Sequence, residues 1–462
     1  MMPFSRVHFV GIGGAGMSGL AIILLQMGCQ VTGSDLADSE RMDNLRRLGA
    51  RIFIGHAREH VGNPDCIVVS SAVPKENVEV EAAKTQGIPI LKRAELLALL
   101  MGMHRGIAVA GTHGKTTTTS LLAFMLQETG HDPTIVIGGE CEDIGSNARL
   151  GSGVHMVAEA DESDASFLYL SPDVAVVTNI EADHLDNYKN VQAVEESFRQ
   201  FVDRVPPAGY CVLCGDDPGV ARLLEHIQGP RITYGIKAGD VRARHVMLNC
   251  LGSRFVVEEY GKVLGEVSLN IPGEHNILNA LAAISVGLAE GLALDDMVEA
   301  LARFRGAKRR FEILTPGGKD ARVLVIDDYA HHPTEIQATL KSAARLGRRI
   351  VAVFQPHRYS RTKHFLGDFA KAFGVADQVI LTPIYAASER PIEGVSGEAL
   401  AQRVAAEHKN VEFVADLTQL PTYLLSKVEE RDVVLFMGAG NITDAAHRFA
   451  KLVQDNVVQQ VG

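Results

Sequence analysis

Positive charge is in short supply in this chain. Its 462 residues carry 45 Lys and Arg against 56 Asp and Glu, a net charge of −11. That balance disfavours a nucleic-acid or anionic-membrane surface, where cationic side chains supply most of the attraction. It leaves room for a small anionic ligand, which backbone N–H groups and a few Lys or Arg can hold locally. Long apolar runs are missing too. No stretch of about 18 apolar residues occurs, and the start "MMPFSRVHFVGIGG" has no apolar core of a secretory leader. A cytoplasmic protein with no membrane insertion is expected. Cysteine is sparse: Cys29, Cys66, Cys141, Cys211, Cys214 and Cys250 are scattered rather than framed as disulfide pairs, which fits a reducing compartment. Cys211 and Cys214 form a C-x-x-C inside "YCVLC", but no second pair completes a zinc site. Short repeats and low-complexity tracts are absent as well.

What is present is 46% hydrophobic and 22% charged residues, the balance of a globular chain. The length suits about two to four domains. The pattern predicts an α/β fold in three blocks. Residues 1–104 alternate strands ("RVHFVGIGG", "CQVTGSD", "DCIVVSSAV") with helices such as "MSGLAIILLQMG", the signature of a covered parallel sheet. Residues 105–316 restart with "GIAVAG", "TIVIGG", "VHMVAEAD", "DVAVVTNI" and "GYCVLCGD". They then change to an alternating, turn-rich segment, "VMLNCLGSRFVVEEYGKVLGEVSLNI", read as antiparallel strands, so this sheet is expected to be mixed. Residues 317–462 follow the turn "TPGGKD" as a third α/β unit.

The chemistry concentrates after strands. In "VAGTHGKT" a strand runs into Gly111, Thr112, His113, Gly114, Lys115, Thr116 and Thr117, and a helix follows. A strict phosphate loop would carry a glycine at Val109. The phosphate-binding parts nevertheless lie from Gly111 onward: turn glycines, a helix N-terminus, Lys115 for the β/γ-phosphates and the Thr116 hydroxyl for Mg²⁺. Gly11, Gly13 and Gly16 make a G-x-G-x-x-G after the first strand, and Asp35 ends the second. Alone, that fingerprint predicts a dinucleotide such as NAD, and any pyrophosphate and ribose would satisfy it. Glu159, Asp161, Glu162 and Asp164 follow one strand of the second block, and Glu181, Asp183, His184 and Asp186 another, as suits Mg²⁺ beside phosphate. Asn276 and Asn279, beside His275, share one face of a helix start. In the third block "IDDYAHHPTE" and "FQPHRYSR" bring Asp327, Asp328, Tyr329, His331, His332, His357, Arg358 and Arg361 to one sheet edge, an arginine-bearing site candidate.

The ordered series "HFVGIGGAGMSGLA", "AGTHGKTTTTSLLA", "GSNARLG", "AEADESDASFL", "TNIEADHLDNY", "IPGEHNILNALAAI", "DDYAHHPTEI", "FQPHRYSRT" and "PIEGVSGEAL" resembles the Mur ligases, ATP-dependent amide-forming enzymes of peptidoglycan precursor synthesis, over essentially the whole chain. The resemblance implies a Rossmann-like UDP-substrate domain, a P-loop-type ATPase domain with a mixed sheet, and a C-terminal Rossmann-like domain that completes the site on closure. It redirects the glycine fingerprint from NAD to UDP and implies ATP and Mg²⁺ (or Mn²⁺) as cofactors. UDP-N-acetylmuramate and L-alanine are the implied substrates, and a monomer–dimer equilibrium is within the family's range. Carried over by motif, Lys115, His184, His331 and Arg358 are catalytic, and Thr116, Glu159 and His184 hold the metal. ATP falls to residues 111–117 with His275, Asn276, Asn279 and Arg310. The UDP substrate falls to Gly11, Gly13, Gly14, Gly16, Met17, Asp35, Ser70, Ser71 and His357. The amino acid falls to Tyr329, His331, Arg358 and Arg361. A murein-peptide recycling ligase of the same family is the alternative, and an NAD-dependent oxidoreductase a more distant one. Two departures stand out. Lys189 lies too near His184 to supply the carbamylated lysine some Mur ligases use, and "GAGNI" has Asn441 where an aspartate is expected.

Overall fold

The computed structural model describes residues 3–141, 143–183 and 187–461, with backbone alone for Lys319 and residues 456–461. It is an α/β chain with three sheets. The first comprises β1 (Arg6–Val10), β2 (Gln30–Asp35), β3 (Arg51–Ile54), β4 (Cys66–Val69) and β5 (Ile90–Lys92) in the order β3-β2-β1-β4-β5. All its pairings are parallel. Strand order reverses between β1 and β4, the place where such sheets open a ligand crevice.

The second sheet comprises β6 (Arg105–Ala110), β7 (Thr134–Cys141), β8 (Ser146–Arg149), β9 (His155–Glu159), β10 (Val174–Val177), β11 (Tyr210–Cys214), β12 (Arg231–Gly235), β13 (Val241–Leu248), β14 (Ser253–Glu259) and β15 (Lys262–Leu269). Its order is β15-β14-β13-β12-β11-β10-β6-β9-β7-β8. β6 lies between β10 and β9, parallel to both, while β8 runs antiparallel to β7, so the sheet is mixed. The strand β8 follows the Gly145 turn at "GSNAR" and is too short and polar to announce itself by periodicity.

The third sheet comprises β16 (Glu312–Ile313), β17 (Leu324–Asp328), β18 (Ile350–Phe354), β19 (Gln378–Leu381), β20 (Val411–Phe413) and β21 (Val433–Met437), in the order β16-β17-β21-β18-β19-β20. It begins before the "TPGGKD" turn, because β16 pairs antiparallel with β17. "LVIDD", "IVAVF" and "VVLFM" are buried throughout, as a parallel sheet covered on both faces requires. Two separate apolar clusters cover those faces, one around Phe354, Phe369 and Phe373, the other around Phe436 and Phe449.

The chain forms two compact units. One comprises Met1–Arg244, Val256–Val267 and Leu278–Phe304; the other comprises His245–Phe255, Ser268–Ile277 and Arg305–Gly462. Within the first unit, the first two sheets share one apolar core running from Val7 and Phe9 to Phe198 and Phe201. The helix Ala15–Gln26 packs against the second sheet as well as its own: Asn147 Nδ2 donates to the Ala15 carbonyl at 2.8 Å, and Gln26 Oε1 accepts from the Leu150 N–H at 2.7 Å.

At the N-terminal edge of the second sheet, Glu290 joins three strands. Its carboxylate takes both Arg105 contacts at 2.7 Å, His155 Nε2 at 3.0 Å and the Tyr210 hydroxyl at 2.8 Å. Burial pushes this carboxyl up, but the hydrogen bonds from His155, Arg105 and Tyr210 outweigh it and hold it well below the ordinary 4.5. A depressed folded-state value means that the stability contribution is complete above pH 4.5 and is lost as pH falls further. Glu290→Gln should lower unfolding free energy by about 3 kcal/mol, the low end for a broken buried pair because Arg105 is partly exposed. Chemical denaturation at pH 7 and pH 4 measures this: the wild-type advantage should shrink at the lower pH.

Candidate active site

β6 is a buried apolar strand, and at its end the chain must turn sharply before the helix Lys115–Glu128 begins. Two glycines make the turn. Gly111 has φ +140° and a side chain there would meet Thr178 Oγ1 at 2.0 Å; Gly114 has φ +80° and a side chain there would meet Asn279 Oδ1 at 2.6 Å. The segment after β10 clamps the loop. Asn179 Oδ1 accepts from the His113 N–H at 2.8 Å, Asn179 Nδ2 donates to the His113 carbonyl at 2.9 Å, and Thr178 Oγ1 donates to the same carbonyl at 2.6 Å. The Glu181 N–H donates to Thr112 Oγ1 at 2.9 Å. The loop's backbone is thereby fixed by protein contacts alone.

Lys115 is 13% exposed and Glu162 2%. The ammonium Nζ lies 2.9 and 2.8 Å from the two Glu162 oxygens and donates to the Gly111 carbonyl at 2.7 Å. Burial pulls the lysine down, yet Glu162, Asp161 and Glu159 outweigh it and raise it. Glu159, at the end of β9, is raised chiefly by burial, against the opposing pull of Lys115. It accepts from the Gly138 N–H at 2.9 Å and interacts with the Thr116 hydroxyl. Hydroxyl and carboxylate oxygens side by side at a phosphate loop are a donor set that fits Mg²⁺. The third residue expected there, His184, lies outside the described residues.

At the first sheet's C-terminal edge, Asp35 Oδ2 accepts from the Gly13 N–H at 2.8 Å and Oδ1 from the Leu36 N–H at 2.8 Å. This carboxylate therefore braces the glycine loop. Gly14 caps the helix that follows, and the Met17 side chain is buried in the core. Ser70 and Ser71 line a cavity of about 530 Å³ together with Lys75, Lys84, Lys92 and Arg93. Arg93 also packs over Gly16, where a side chain would meet it at 2.9 Å. The sequence reading passed over these four cations. Only Lys92 and Arg93 had a local signal, "ILKRAE", a basic pair at the end of β5.

Asn279 touches the phosphate loop's helix: Thr118 Oγ1 donates to its Oδ1 at 3.1 Å. Asn276 Nδ2 donates to the Pro272 carbonyl at 2.7 Å and so ties down its own turn. His275 is held neutral. Burial, with Arg310 adding to it, brings it down to about 4. Arg309 and Arg310 are half-buried, while their neighbour Lys308 is exposed. Arg309 Nη2 donates to the Gly438 carbonyl at 2.5 Å, and both Arg309 and Arg310 lie over the Tyr329 ring, at 4.9 and 5.2 Å.

The third sheet gathers its expected residues. β17 and β18 flank β21, so the segments that follow them emerge close together. His331 meets Tyr329 and His357 edge-on at 5.3 and 5.8 Å, and Arg361 Nη1 is 3.3 Å from His357 Nδ1. Arg358 has φ +68°, a conformation non-glycine residues rarely adopt. Its N–H donates to the Tyr385 carbonyl at 2.8 Å, and Glu389 fixes the helix that follows by accepting from the Ser360 N–H at 3.0 Å. Asp328, buried, is pushed up to about 6 despite Arg310 and the N–H groups of Ala330 and Phe311. Cys211 and Cys214 are free and buried, and burial lifts their thiols to about 12 and about 11, which removes any thiolate chemistry at neutral pH.

A phosphate loop with a buried lysine, a carboxylate–hydroxyl pair beside it and a separate His/Arg cluster define a nucleotide-dependent transferase or ligase. Three family models cover the chain: Mur ligase family, catalytic domain, at residues 6–105; Mur ligase middle domain at 109–287; and Mur ligase, glutamate ligase domain, at 309–440. The chain belongs to the Mur ligase family. It is 52% identical over 441 residues to the UDP-N-acetylmuramate–L-alanine ligase of Oleidesulfovibrio alaskensis, covering 95% of this chain and 96% of that one. Among solved structures it is similar to the UDP-N-acetylmuramate–alanine ligase of Thermotoga maritima, with TM-score 0.83, 34% identity and coverage of 98% and 99%. A murein peptide ligase of Psychrobacter arcticus shares the fold at TM-score 0.71 and 24% identity, with coverage of 97% and 98%.

Lys115→Ala should lower turnover about 100- to 1000-fold, the size of effect seen when one transition-state contact is lost, and should lower the melting temperature without abolishing folding, because the buried Glu162 loses its partner. Steady-state ADP release alongside a thermal melt tests this. A variant with near-normal turnover would contradict the loop's role.

Proposed function

We propose that this chain joins L-alanine to the lactyl carboxylate of UDP-N-acetylmuramate at the expense of ATP, in the cytoplasm, as a step of peptidoglycan precursor synthesis. The observation that carries the reading is the buried Lys115 in a clamped phosphate loop, beside the Thr116–Glu159 oxygen pair. The 52% identity to a ligase of that name supports the choice of substrates, and the weaker likeness to a murein peptide ligase argues against a tripeptide.

A carboxylate does not form an amide at useful rate because oxide is a hopeless leaving group. ATP supplies a better one. A lactyl carboxylate oxygen attacks the γ-phosphorus, the bond to the β-phosphate oxygen breaks, and ADP leaves. The amine of alanine then adds to the acyl carbon of the acyl phosphate, loses a proton, and inorganic phosphate departs. Lys115 and the loop's N–H groups hold the phosphoryl oxygens in place. Thr116 and Glu159, with His184, would hold Mg²⁺, which neutralises phosphate charge.

The glycine loop and Asp35, with Ser70, Ser71, Lys92 and Arg93, receive the UDP sugar. His275, Asn276 and Asn279 receive adenine and Arg310 a phosphate. His357 faces the muramoyl group, while Tyr329, His331, Arg358 and Arg361 clamp the amino acid. These assignments rest on motif position together with the geometry above, and they divide the chain as 1–104, 105–316 and 317–462.

ADP release should require both UDP-N-acetylmuramate and L-alanine. Release driven by a tripeptide and not by alanine would favour the recycling ligase. Arg358→Ala and Arg361→Ala should each raise the KM for L-alanine, or lower kcat, by an amount worth about 2–5 kcal/mol, the cost of leaving a desolvated charge without its partner. The KM for ATP should stay near normal. Separate KM values for the three substrates check this, and an effect confined to ATP would misplace the amino-acid pocket.

A further inference from the structure

Arg358 opens the helix Tyr359–His364 with φ +68° and ψ 141°, close to a region that glycine alone occupies freely. A residue with a side chain persists there only when its surroundings leave the backbone no alternative. Part of that constraint is a bridge to the chain after β19. The Arg358 N–H donates to the Tyr385 carbonyl and the Tyr385 N–H to the Pro356 carbonyl, both at 2.8 Å. The Arg358 carbonyl in turn accepts from the Thr362 hydroxyl at 2.8 Å. The rest comes from Glu389. Its Oε2 accepts from the Ser360 N–H at 3.0 Å, its Oε1 from the Ser360 hydroxyl, and the Tyr359 N–H also bonds to this carboxylate. Burial pushes the Glu389 carboxyl up, but the Ser360 and Tyr359 bonds and the Arg358 charge outweigh it and hold it below its ordinary value. An ionised carboxylate only accepts, which suits a first helical turn whose N–H groups have no partner within the helix.

Glu389 reaches that place by a turn of its own. Ala387 and Ser388 both have positive φ, +46° and +71°, and the Glu389 N–H donates to the Ala386 carbonyl at 2.9 Å. Unfavourable backbone on both sides therefore converges on one contact, Glu389 with Ser360. That contact governs more than local shape. Arg358 and Arg361 are i, i+3 neighbours, so the helix start sets the spacing of their side chains. Arg361 is 8% exposed, and its Nη1 is 3.3 Å from Nδ1 of His357, the residue before Arg358. A rotation of the Arg358 backbone moves both guanidinium groups and the His357 ring together.

We propose that Glu389 is a positioning residue for the amino-acid clamp: by holding the start of the helix Tyr359–His364 it fixes the spacing at which Arg358 and Arg361 meet the carboxylate of alanine. The inference rests on the role of the two arginines proposed above and adds the group that orients them.

Separate KM values for L-alanine, ATP and UDP-N-acetylmuramate in the full-length Glu389→Ala variant test it. The KM for L-alanine should rise about tenfold or more, because binding groups displaced by a fraction of an ångström lose their alignment. The KM for ATP should not move. Glu389→Gln, which keeps an oxygen for the Ser360 N–H, should recover most of the loss. A merely structural Glu389 would lower the melting temperature and the active fraction and leave the KM for L-alanine alone, which overturns the proposal. Added to Arg358→Ala, Glu389→Ala should cost less than it does in the wild type, since both act on one clamp; full multiplication of the two effects also overturns it. Should Glu389→Ala fail to fold, Ser360→Ala decides: losing the hydroxyl contact should raise the KM for L-alanine about threefold, and an unchanged value sinks the proposal. If Arg358→Ala raises the KM for L-alanine and Glu389→Ala does not, this inference alone falls. If neither variant raises it, the amino-acid reading of the arginines falls as well.

Discussion

The organisation of the site depends on a cation held out of water. Lys115 is enclosed by Glu162, with Asp161 and Glu159 close behind, and by the carbonyls of its own loop. Burying a lysine is costly unless its charge is met. Here the carboxylates meet it well enough to raise its proton affinity despite burial. The same field acts in reverse on Asp161, which burial pushes up and Lys115 pulls down below its ordinary value. A positive charge held at this loop can offset phosphoryl charge once a phosphate oxygen takes the place of Glu162 against Nζ.

The three sheets serve that charge unequally. In each, the polar residues collect where strands end. β6 delivers the phosphate loop between β10, whose following segment clamps it, and β9, which ends at Glu159. The opposite edge of the same sheet holds the Glu290 knot, far along the strands from the chemistry and suited to stability alone. The first sheet repeats the logic on a smaller scale: its C-terminal edge holds Asp35 and the glycine loop, with Glu79 buried among three histidines beneath.

Much of this could be read in the sequence because it is local. Strand, glycine turn and helix are contiguous around Lys115, and the parallel strands announce themselves as unbroken apolar runs. What escaped was set by long-range contacts. Of four acidic residues in "EADESD", only the fold picks Glu162 as the partner of Lys115, 47 residues away. Glu290 reads as one more charge at a helix end until Arg105, 185 residues back, closes on it. Asn179, in "TNIEAD", drew no attention, yet its amide holds His113 from both sides. Asn441, unexpected at its position, accepts from Gln355 Nε2 at 2.8 Å, a bond an aspartate could equally accept. The short strands β8 and β16 carry too few residues for any periodicity to register.

The central claim is that phosphate activates a carboxylate rather than merely fuelling a shape change. Labelling both lactyl carboxylate oxygens of UDP-N-acetylmuramate with ¹⁸O and running the reaction to completion with ATP and L-alanine tests it directly. If an acyl phosphate forms and alanine displaces phosphate at carbon, one ¹⁸O ends in each inorganic phosphate and one remains in the new amide, as mass spectrometry of both products would read. Unlabelled phosphate would mean that water took the γ-phosphoryl group, and the account of Lys115 as part of the bond-making site would fail.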